Sequence, residues 1–264
     1  MTKEQQEQFE SIIYDKNARV EFIEKTFVTA SSLPYLEKSV YSFILNKLFP
    51  EPQTAAMKFG SALHMCVIEG VEKYLNSYVI MPKELSALNK NTKLYKEGYE
   101  ALQTEANGRE ILTYDEHEQI IDMQSAFYNS EIYEEVYKEP IQELLKEEMI
   151  EFVYNDVKCR GRLDIATKFD ENWTVWDLKT TQDTLDLDSI GKSINNYKYY
   201  RQMEMYRMAI VSRYNMNPEV KLIFLGKEFP FLPVCVEQLS ERYWDAARND
   251  IYFLTERWKE FIDN

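Results

Sequence analysis

The feature that most constrains this chain is the stretch GRLDIATKFDENWTVWDLKTT, residues 161–181. Its pattern predicts two β-strands joined by the polar turn Asp170-Glu171-Asn172. Because side chains alternate along a strand, Asp177 and Lys179 share one face of the second strand. Folding the hairpin at that turn brings Asp164 of the first strand roughly opposite Asp177, with Cβ atoms about 4.5–5.5 Å apart. The sequence therefore predicts two carboxylates and an ammonium gathered at one point of a sheet.

Length and composition bound the class of protein. The chain has 264 residues, of which 45% are hydrophobic and 14% aromatic, so we expect a packed core. The N-terminal stretch is polar, and no run approaches about 18 consecutive apolar residues, so neither a signal peptide nor a membrane span is expected. Three widely separated cysteines suit a reducing compartment and exclude a four-cysteine cluster. We therefore expect a soluble cytoplasmic protein.

The charge balance is unfavourable for binding nucleic acid. The chain has 31 basic and 45 acidic residues and a net charge of −14, whereas affinity for a phosphate backbone comes from Lys and Arg. An acidic protein can still bind DNA in a local basic groove, since nearby charges set the field in a cleft. Ordinary solvated charges are the alternative for each of the candidate cations, which are Lys158, Arg160, Arg162, Lys192, Lys198, Arg201, Arg207 and Arg213.

Hydrophobic periodicity predicts helices first and a sheet later. Apolar residues at helical spacing predict one helix over residues 29–49, ended by Pro50 and Pro52, and a second helix in TAAMKFGSALHMCVIEG. Thr113 and Glu116 have the spacing of a capping box at a later helix start. The predicted strands are Glu148 to Tyr154, Val157 to Thr167, Trp173 to Leu178, Val220 to Gly226 and Leu232 to Glu237. This order indicates an α/β (α+β) fold with a mixed central sheet flanked by helices and a largely helical N-terminal region.

The carboxylates and the lysine of the hairpin suit metal-dependent hydrolysis of a phosphodiester. Mg²⁺ prefers a few carboxylates together with water and substrate oxygens, and Asp164 and Asp177 supply the carboxylates. The backbone carbonyl of Leu178 lies between the side chains of Asp177 and Lys179, and Lys179 can orient water or stabilise transition-state charge. The alternative is a solvated salt bridge on one face of a strand, because D-x-K tripeptides are common.

Several motifs in order resemble the PD-(D/E)xK nuclease superfamily, and more closely its RecB-like branch and the RecE (exodeoxyribonuclease VIII) type of phage or prophage nuclease. The resemblance covers nearly the whole chain. TASSLPYLEKSVYSF is similar to the opening helix of the family, and TAAMKFGSALHMCVIEG to its G-x-x-x-H helix. VKCRGRLDIAT and VWDLKTTQD resemble the core hairpin, YYRQMEMY the Q-x-x-x-Y motif, and LGKEFPFLPVCV the closing strand pair. Leu163 departs from the proline usual before the first aspartate, a change that removes no ligand.

The resemblance assigns further residues to the site. His64 matches the histidine that reaches a metal from an N-terminal helix; a satisfied core histidine is the alternative. Gln202 and Tyr206 match Q-x-x-x-Y, and their i, i+4 spacing places both on one helical face, where they could bond substrate phosphates or the surroundings of the catalytic lysine. Glu148 is a candidate carboxylate for a second metal or a water, and Glu151 is one competitor in the same acidic run. The resemblance thus implies Asp164, Asp177, Lys179, Gln202 and Tyr206 as catalytic residues and His64, Asp164, Asp177, Leu178 and Glu148 as metal ligands.

The resemblance also implies a function. We expect a Mg²⁺-dependent exodeoxyribonuclease, with Mn²⁺ as a substitute, that resects double-stranded DNA ends for recombination or repair by single-strand annealing. An annealing recombinase as partner, a ring-shaped homo-oligomer, no membrane partner and a location in the cytoplasm of a bacterial host are further expectations. The expected organisation is one nuclease domain over residues 1–264, with a helical region over 1–147, a core over 148–237 and a closing helix over 238–264.

Two other functions remain open from the sequence. One is an endonuclease, or a nuclease module of a larger repair complex. The other is a non-catalytic DNA-binding or interaction module that retains the fold. The full set of His64, Asp164, Asp177, Lys179, Gln202 and Tyr206 argues against the module, because a protein without chemistry has no need of them.

Overall fold

The computed structural model describes residues 1–263, which form thirteen α-helices and seven β-strands. The helices are α1 (Lys3–Tyr14), α2 (Lys16–Lys25), α3 (Leu33–Lys38), α4 (Val40–Leu48), α5 (Ala55–His64), α6 (Val71–Ser77), α7 (Lys83–Ser86), α8 (Lys93–Ala106), α9 (Tyr114–Tyr128), α10 (Glu131–Val136), α11 (Leu187–Tyr197), α12 (Tyr199–Tyr214) and α13 (Glu241–Asp263). The strands are β1 (Tyr78–Ile80), β2 (Glu110–Leu112), β3 (Glu143–Tyr154), β4 (Val157–Phe169), β5 (Asn172–Thr181), β6 (Glu219–Gly226) and β7 (Pro233–Val236).

Side-chain caps set several helix starts. The capping box expected at Thr113 is confirmed, because Glu116 N donates to Thr113 Oγ1 at 3.2 Å while Thr113 N donates to Glu116 Oε2 at 2.9 Å. The single helix predicted over residues 29–49 is wrong. Ser39 has an extended backbone and accepts from Ser42 N at 3.0 Å, so it ends α3 and begins α4. Apolar periodicity continues across this break, which is why spacing alone missed it.

The mixed central sheet is confirmed. Its strand order is β3-β4-β5-β6-β7, with β5 and β6 parallel and every other neighbouring pair antiparallel. Helices α11 and α12 make the crossover between the parallel strands. One face packs α12, α13 and the N-terminal helices around Trp258 and Phe43; the other packs α5 and α9 around Leu63 and Ile120. A separate parallel pair, β1 and β2, was not predicted.

Both hairpins at the centre of the sheet have two-residue turns. Asn155 and Asp156 have φ of 54° and 59°, and Asp170 and Glu171 have φ of 44° and 64°. Positive φ at both central residues matches the right-handed twist of the flanking strands, which is why such turns favour Asn, Asp and Gly. The second turn was predicted with three residues, but Asn172 already pairs with Phe169 in the sheet. Strands β3, β4 and β5 are all longer than predicted.

None of the helices within residues 1–263 is both long and apolar enough to cross a bilayer.

Candidate active site

The candidate site lies where β4 and β5 separate. The two strands pair from Phe169 with Asn172 to Ile165 with Trp176, and the regular pairing ends there. At the next position the side chain of Asp164 replaces a backbone partner, because its Oδ2 accepts a hydrogen bond from Leu178 N at 2.8 Å. Counting back from the two-residue turn places Asp164 level with Asp177. The hairpin therefore brings both predicted carboxylates to the point of separation.

Asp177 is fully buried and is held from two sides. Gln202 Nε2 donates to Asp177 Oδ1 at 3.1 Å, and Lys179 Nζ lies 2.5 Å from Oδ2. Burial raises the pKa of Asp177 against the opposing effect of the Lys179 charge, and the neighbouring Asp164 raises it further. Two neighbouring carboxylates, one of them fully buried and paired with the ammonium of Lys179, favour an additional cation.

Helix α12 brings the predicted glutamine and tyrosine to the same place. Gln202 Nε2 also donates to Tyr206 Oη at 2.5 Å, one helical turn further on. Tyr206 is buried, and its ring packs closely on Gly161 of β4, where an added Cβ would lie 3.4 Å from Cδ1. Burial raises the pKa of Tyr206 well above its usual value, so the phenol stays protonated. The sequence left open whether Gln202 and Tyr206 contact substrate phosphates or the surroundings of the catalytic lysine. In the structure the pair contacts Asp177, which is the partner of that lysine.

A second group of ligand atoms lies on the other side of Asp164. His64, Glu147 and Asp164, here called the acid–histidine group, each offer one ligand atom, and these atoms lie within 4.8 Å of one another. His64 is the last residue of α5, and its Nδ1 lies 3.5 Å from Asp164 Oδ2. Asp177 belongs to no such group of three or more ligand atoms within residues 1–263. The two carboxylates thus have different surroundings, one facing the histidine and one facing the lysine.

The electrostatics of the acid–histidine group fit a divalent cation. Burial and the neighbouring Asp164 raise the pKa of Glu147 to about 7, while Arg162, with Nε 3.1 Å from Glu147 Oε2, lowers it. Carboxylate oxygens and an imidazole nitrogen form a donor set used for Mg²⁺, Mn²⁺ and Zn²⁺. A cation would also relieve the repulsion that raises the pKa of Glu147. The backbone carbonyl of Leu178 stays a predicted ligand, while its N–H is bound to Asp164.

The position of Glu148 corrects the sequence analysis. Glu148 was predicted among the metal ligands, but its Oε1 accepts from Arg213 Nη1 at 2.6 Å, on the α12 side of the sheet. Glu147 has a left-handed backbone, with φ of 49°, and reaches the acid–histidine group instead. Successive side chains of a strand point to opposite faces, so an error of one residue moves a carboxylate across the sheet. The competitor Glu151 also lies elsewhere, bonded to Arg160 at 2.5 Å.

A signal for Glu147 was present in the sequence. The predicted strands left Asn155 and Asp156 as a two-residue connection, which fixes the pairing of the strands on either side. Tyr154 then pairs with Val157, and counting back places Glu147 opposite Asp164; the observed pairs on either side, Lys146 with Ile165 and Glu148 with Leu163, agree with that count. The residue type alone does not show which of the neighbouring glutamates faces Asp164, whereas the length of the turn does.

The structure also sorts the candidate cations. Lys198 and Arg201 both pair with Glu37, and Arg207 pairs with Glu204. Lys158 Nζ donates to the Glu24 carbonyl, and Lys192 is exposed on α11. Arg160 and Arg162 alternate with Lys158 along β4 on the same face as Asp164, and they pair with Glu151 and Glu147 respectively. The cations after the hairpin are largely committed to structural ion pairs.

A mixed sheet in which an aspartate on one strand meets a D-x-K tripeptide on the next, with helices on both faces, defines the PD-(D/E)xK class of nuclease folds. Residues 41–263 match the family described as "PDDEXK-like domain of unknown function (DUF3799)". The chain belongs to this family. Family membership and fold together support a nuclease.

Comparison with solved structures supports the fold. A candidate exonuclease from Eubacterium rectale superposes with a TM-score of 0.57 at 10% identity, covering 94% of this chain and 83% of its own. The protein SSO0001 gives a TM-score of 0.29 at 14% identity, covering 75% of this chain and 86% of its own. VC1899 from Vibrio cholerae gives a TM-score of 0.27 at 10% identity, covering 85% of this chain and 52% of its own. A comparison with curated proteins finds no match.

Proposed function

We propose that this protein is a divalent-metal-dependent deoxyribonuclease. The observation that supports this most directly is the acid–histidine group lying beside the buried Asp177 and Lys179 at the point where two strands separate. In this proposal His64, Glu147 and Asp164 hold the ion, and Asp177 remains a proposed ligand through the oxygen that pairs with Lys179. When bound, such an ion polarises the phosphoryl oxygen and lowers the pKa of water.

The residues of the chain supply the remaining requirements. The Lys179 ammonium lies 2.5 Å from Asp177 Oδ2 and 5.0 Å from the centroid of the Tyr199 ring, and in this proposal it stabilises charge developing on a phosphoryl oxygen. Gln202 orients the Asp177 carboxylate through one hydrogen bond and is itself bonded to Tyr206. The Leu178 N–H fixes the Asp164 carboxylate in the same way. Hydrolysis adds water across the phosphodiester, breaking one P–O bond and leaving a phosphate and a hydroxyl.

The finer parts of the proposal are an exonuclease, double-stranded DNA ends, Mg²⁺ and a role in recombination by annealing. Their support is the resemblance to RecE-type nucleases, together with the fold shared with the candidate exonuclease from Eubacterium rectale. An annealing protein as partner and a ring-shaped oligomer belong to the same proposal. Of the four proposed ligand side chains, Glu147, Asp164 and Asp177 are carboxylates and His64 is not. Mg²⁺ is preferred because carboxylates are the ligands this ion favours.

The test uses linear and closed circular duplexes of the same sequence, with Mg²⁺, with Mn²⁺ and with a chelator. We expect metal-dependent degradation of the linear duplex alone, and an Asp177→Asn variant that degrades neither. Cleavage of the circle would replace the exonuclease by an endonuclease. A purified wild-type protein that cleaves no nucleic acid with any divalent cation would refute the nuclease and favour a binding module.

A further inference from the structure

Two tyrosines at the junction of α11 and α12 lie beside the lysine of the candidate active site. The centroid of the Tyr199 ring lies 5.0 Å from Lys179 Nζ. The Tyr197 ring stacks on Tyr199, with centroids 5.5 Å apart and an angle of 22° between the ring planes. Tyr199 is half-buried, whereas Tyr197 is 68% exposed. The two rings, here called the tyrosine pair, therefore lead from the buried lysine to the surface.

The junction that carries the tyrosine pair is anchored to the rest of the molecule. Lys198 has a left-handed backbone, with φ of 52°, and its Nζ donates to both carboxylate oxygens of Glu37, at 2.6 and 2.8 Å. The Tyr199 ring also packs on Phe224 of β6, with centroids 6.1 Å apart. A ring that is held in place in advance loses little conformational freedom when a ligand binds to it. The anchored junction therefore favours a stacked ligand on Tyr197.

An exposed aromatic ring beside the proposed catalytic lysine fits a nucleobase. Every base has a π-face, and stacking on aromatic side chains is a general way of holding single-stranded nucleic acid. Stacking also requires no positive charge, which matters in a chain with a net charge of −14. Lys198, Arg201 and Arg207 are already paired with carboxylates. A stacking contact can therefore hold a substrate for which few unpaired cations are available.

The distances limit which base can reach the exposed ring. The path from Lys179 Nζ to the Tyr197 ring passes through Tyr199 in two steps, of 5.0 Å and 5.5 Å. At about 3.4 Å per nucleotide of a stacked strand, the two steps together span no more than about three nucleotides. Inside a duplex both faces of a base are covered by its neighbours, so a base must leave the stack before a side chain can take a neighbour's place. The ring therefore suits a base that is unpaired.

We propose that Tyr197 stacks on an unpaired nucleobase of the strand being cleaved, within about three nucleotides of the scissile bond. The inference rests on the proposed nuclease function and identifies the form of the substrate at the site, which is a single strand or the frayed end of a duplex. The competing explanation is packing alone, in which Tyr197 covers Tyr199 and so helps to hold Lys179.

The first test compares variants that separate the ring from its hydroxyl. Tyr197→Ala removes the exposed ring, Tyr197→Phe retains it, and Tyr14→Ala removes a tyrosine of α1 that is 83% exposed. On a single strand of about 20 nucleotides, Tyr197→Ala should raise KM about tenfold and change kcat by less than about twofold. The other two variants should keep KM within about twofold of the wild type. The slope of log affinity against log salt should stay unchanged in Tyr197→Ala, because no phosphate contact is lost.

The second test changes the substrate. Strands with an abasic site at the first, second or third position from either end lose one base but no phosphate. At the position that contacts Tyr197, the wild type and Tyr197→Ala should have the same KM, because the abasic strand has no base to stack. With 2-aminopurine at that position, binding to an Asp177→Asn protein should quench the fluorescence through stacking. The added Tyr197→Ala substitution should remove most of that quenching.

Two results would overturn the base-stacking site. One is a Tyr197→Ala protein with the KM of the Tyr14→Ala control. The other is a loss of activity that is equally large on every abasic strand, which would assign the tyrosine pair to the support of Lys179. If the wild type cleaves no nucleic acid, the nuclease proposal fails, while the quenching measurement still tests Tyr197, and an absence of quenching would refute stacking as well. Should Tyr197→Ala not fold, Tyr197→Leu removes the aromatic ring and keeps an apolar side chain.

Discussion

The two hairpins of the central sheet begin alike and end differently. Each has a two-residue turn with positive φ at both positions. The hairpin of β3 and β4 stays together along nearly its whole length, from Tyr154 with Val157 to Glu143 with Lys168. The hairpin of β4 and β5 pairs over five residue pairs and then separates at Asp164. The register of the continuous hairpin places Glu147 at the site. The opening of the other hairpin lets the Asp164 side chain accept from Leu178 N, where a complete ladder would have a backbone carbonyl.

The largest expected effect comes from the carboxylates at the separation. Asp177→Ala and Asp164→Ala should each reduce cleavage by about 10³-fold or more, since each removes a proposed ligand. Their effects on stability should differ. Asp164→Ala leaves the buried Leu178 N–H without its acceptor and should lower the free energy of unfolding by about 1–3 kcal/mol.

Asp177→Ala should cost little stability, because it removes a buried carboxylate whose pKa burial has raised. Urea unfolding of both variants without metal checks the difference. Equal destabilisation would mean that the Asp164 bond to Leu178 N contributes nothing specific, and normal cleavage by Asp177→Ala would remove that residue from the site.

The continuous hairpin predicts a contrast between neighbouring glutamates. Glu147→Gln should reduce cleavage by about 100-fold and raise the Mg²⁺ concentration needed for half-maximal rate. Glu148→Gln, which disturbs a half-exposed ion pair with Arg213, should change either quantity by no more than about twofold. Steady-state rates over a Mg²⁺ titration check both variants. The reverse order of effects would restore Glu148 as the ligand and reject the observed register.

Glu147 should also make the metal-free protein sensitive to pH. Its pKa is about 7 in the folded protein against an ordinary value of 4.5, so the folded state retains a proton that the unfolded chain releases. This contribution to stability is fully present below about pH 4.5 and is lost as pH rises through 7. The resulting fall in the free energy of unfolding should be about 2 kcal/mol after allowance for solvent screening.

Chemical denaturation from pH 4.5 to 8 in the presence of a chelator measures this dependence. The difference between wild type and Glu147→Gln should follow it, because glutamine cannot titrate. A saturating divalent cation should abolish it by stabilising the ionised carboxylate. A wild-type curve parallel to that of Glu147→Gln would contradict the burial of the Glu147 charge.

The smallest expected effect concerns the turns. Glu171 has φ of 64°, a conformation that costs a residue with a Cβ about 1–2 kcal/mol and glycine little. Glycine also gains conformational entropy in the unfolded chain, which offsets part of this relief of strain. The net effect of Glu171→Gly should be a stabilisation of about 0.5 kcal/mol. Asp156→Gly in the other turn should gain less, because the ion pair it loses with Lys259, at 2.6 Å, is closer than the 3.4 Å pair with Lys168 that Glu171→Gly loses. Urea midpoints of the two variants test this order, and cleavage rates should stay unchanged.

Much of the fold could be read from local patterns. Turn chemistry at Asp170-Glu171-Asn172 and strand alternation around it predicted the hairpin and placed Asp164 roughly opposite Asp177, because both depend only on residues close in the chain. The capping box at Thr113 was predictable for the same reason. The interruption at Ser39 was not, since helical spacing of apolar residues continues through it.

The candidate site was predictable only in part. The i, i+4 spacing placed Gln202 and Tyr206 on one helical face, but nothing local indicated that this face meets Asp177 and not open solvent. His64 lies 100 positions before Asp164, and its approach depends on the packing of α5 against the sheet.

The sequence by itself determined the strands, their turns and the residue types needed for metal-dependent hydrolysis, because backbone conformation and alternation are local properties. Tertiary structure decided which face each charge occupies and which charges remain available. Arg160, Arg201 and Arg213 are equivalent cations in the sequence, yet packing pairs them with Glu151, Glu37 and Glu148 respectively. Pairing of charges depends on distances between segments far apart in the chain, and only the folded arrangement sets those distances.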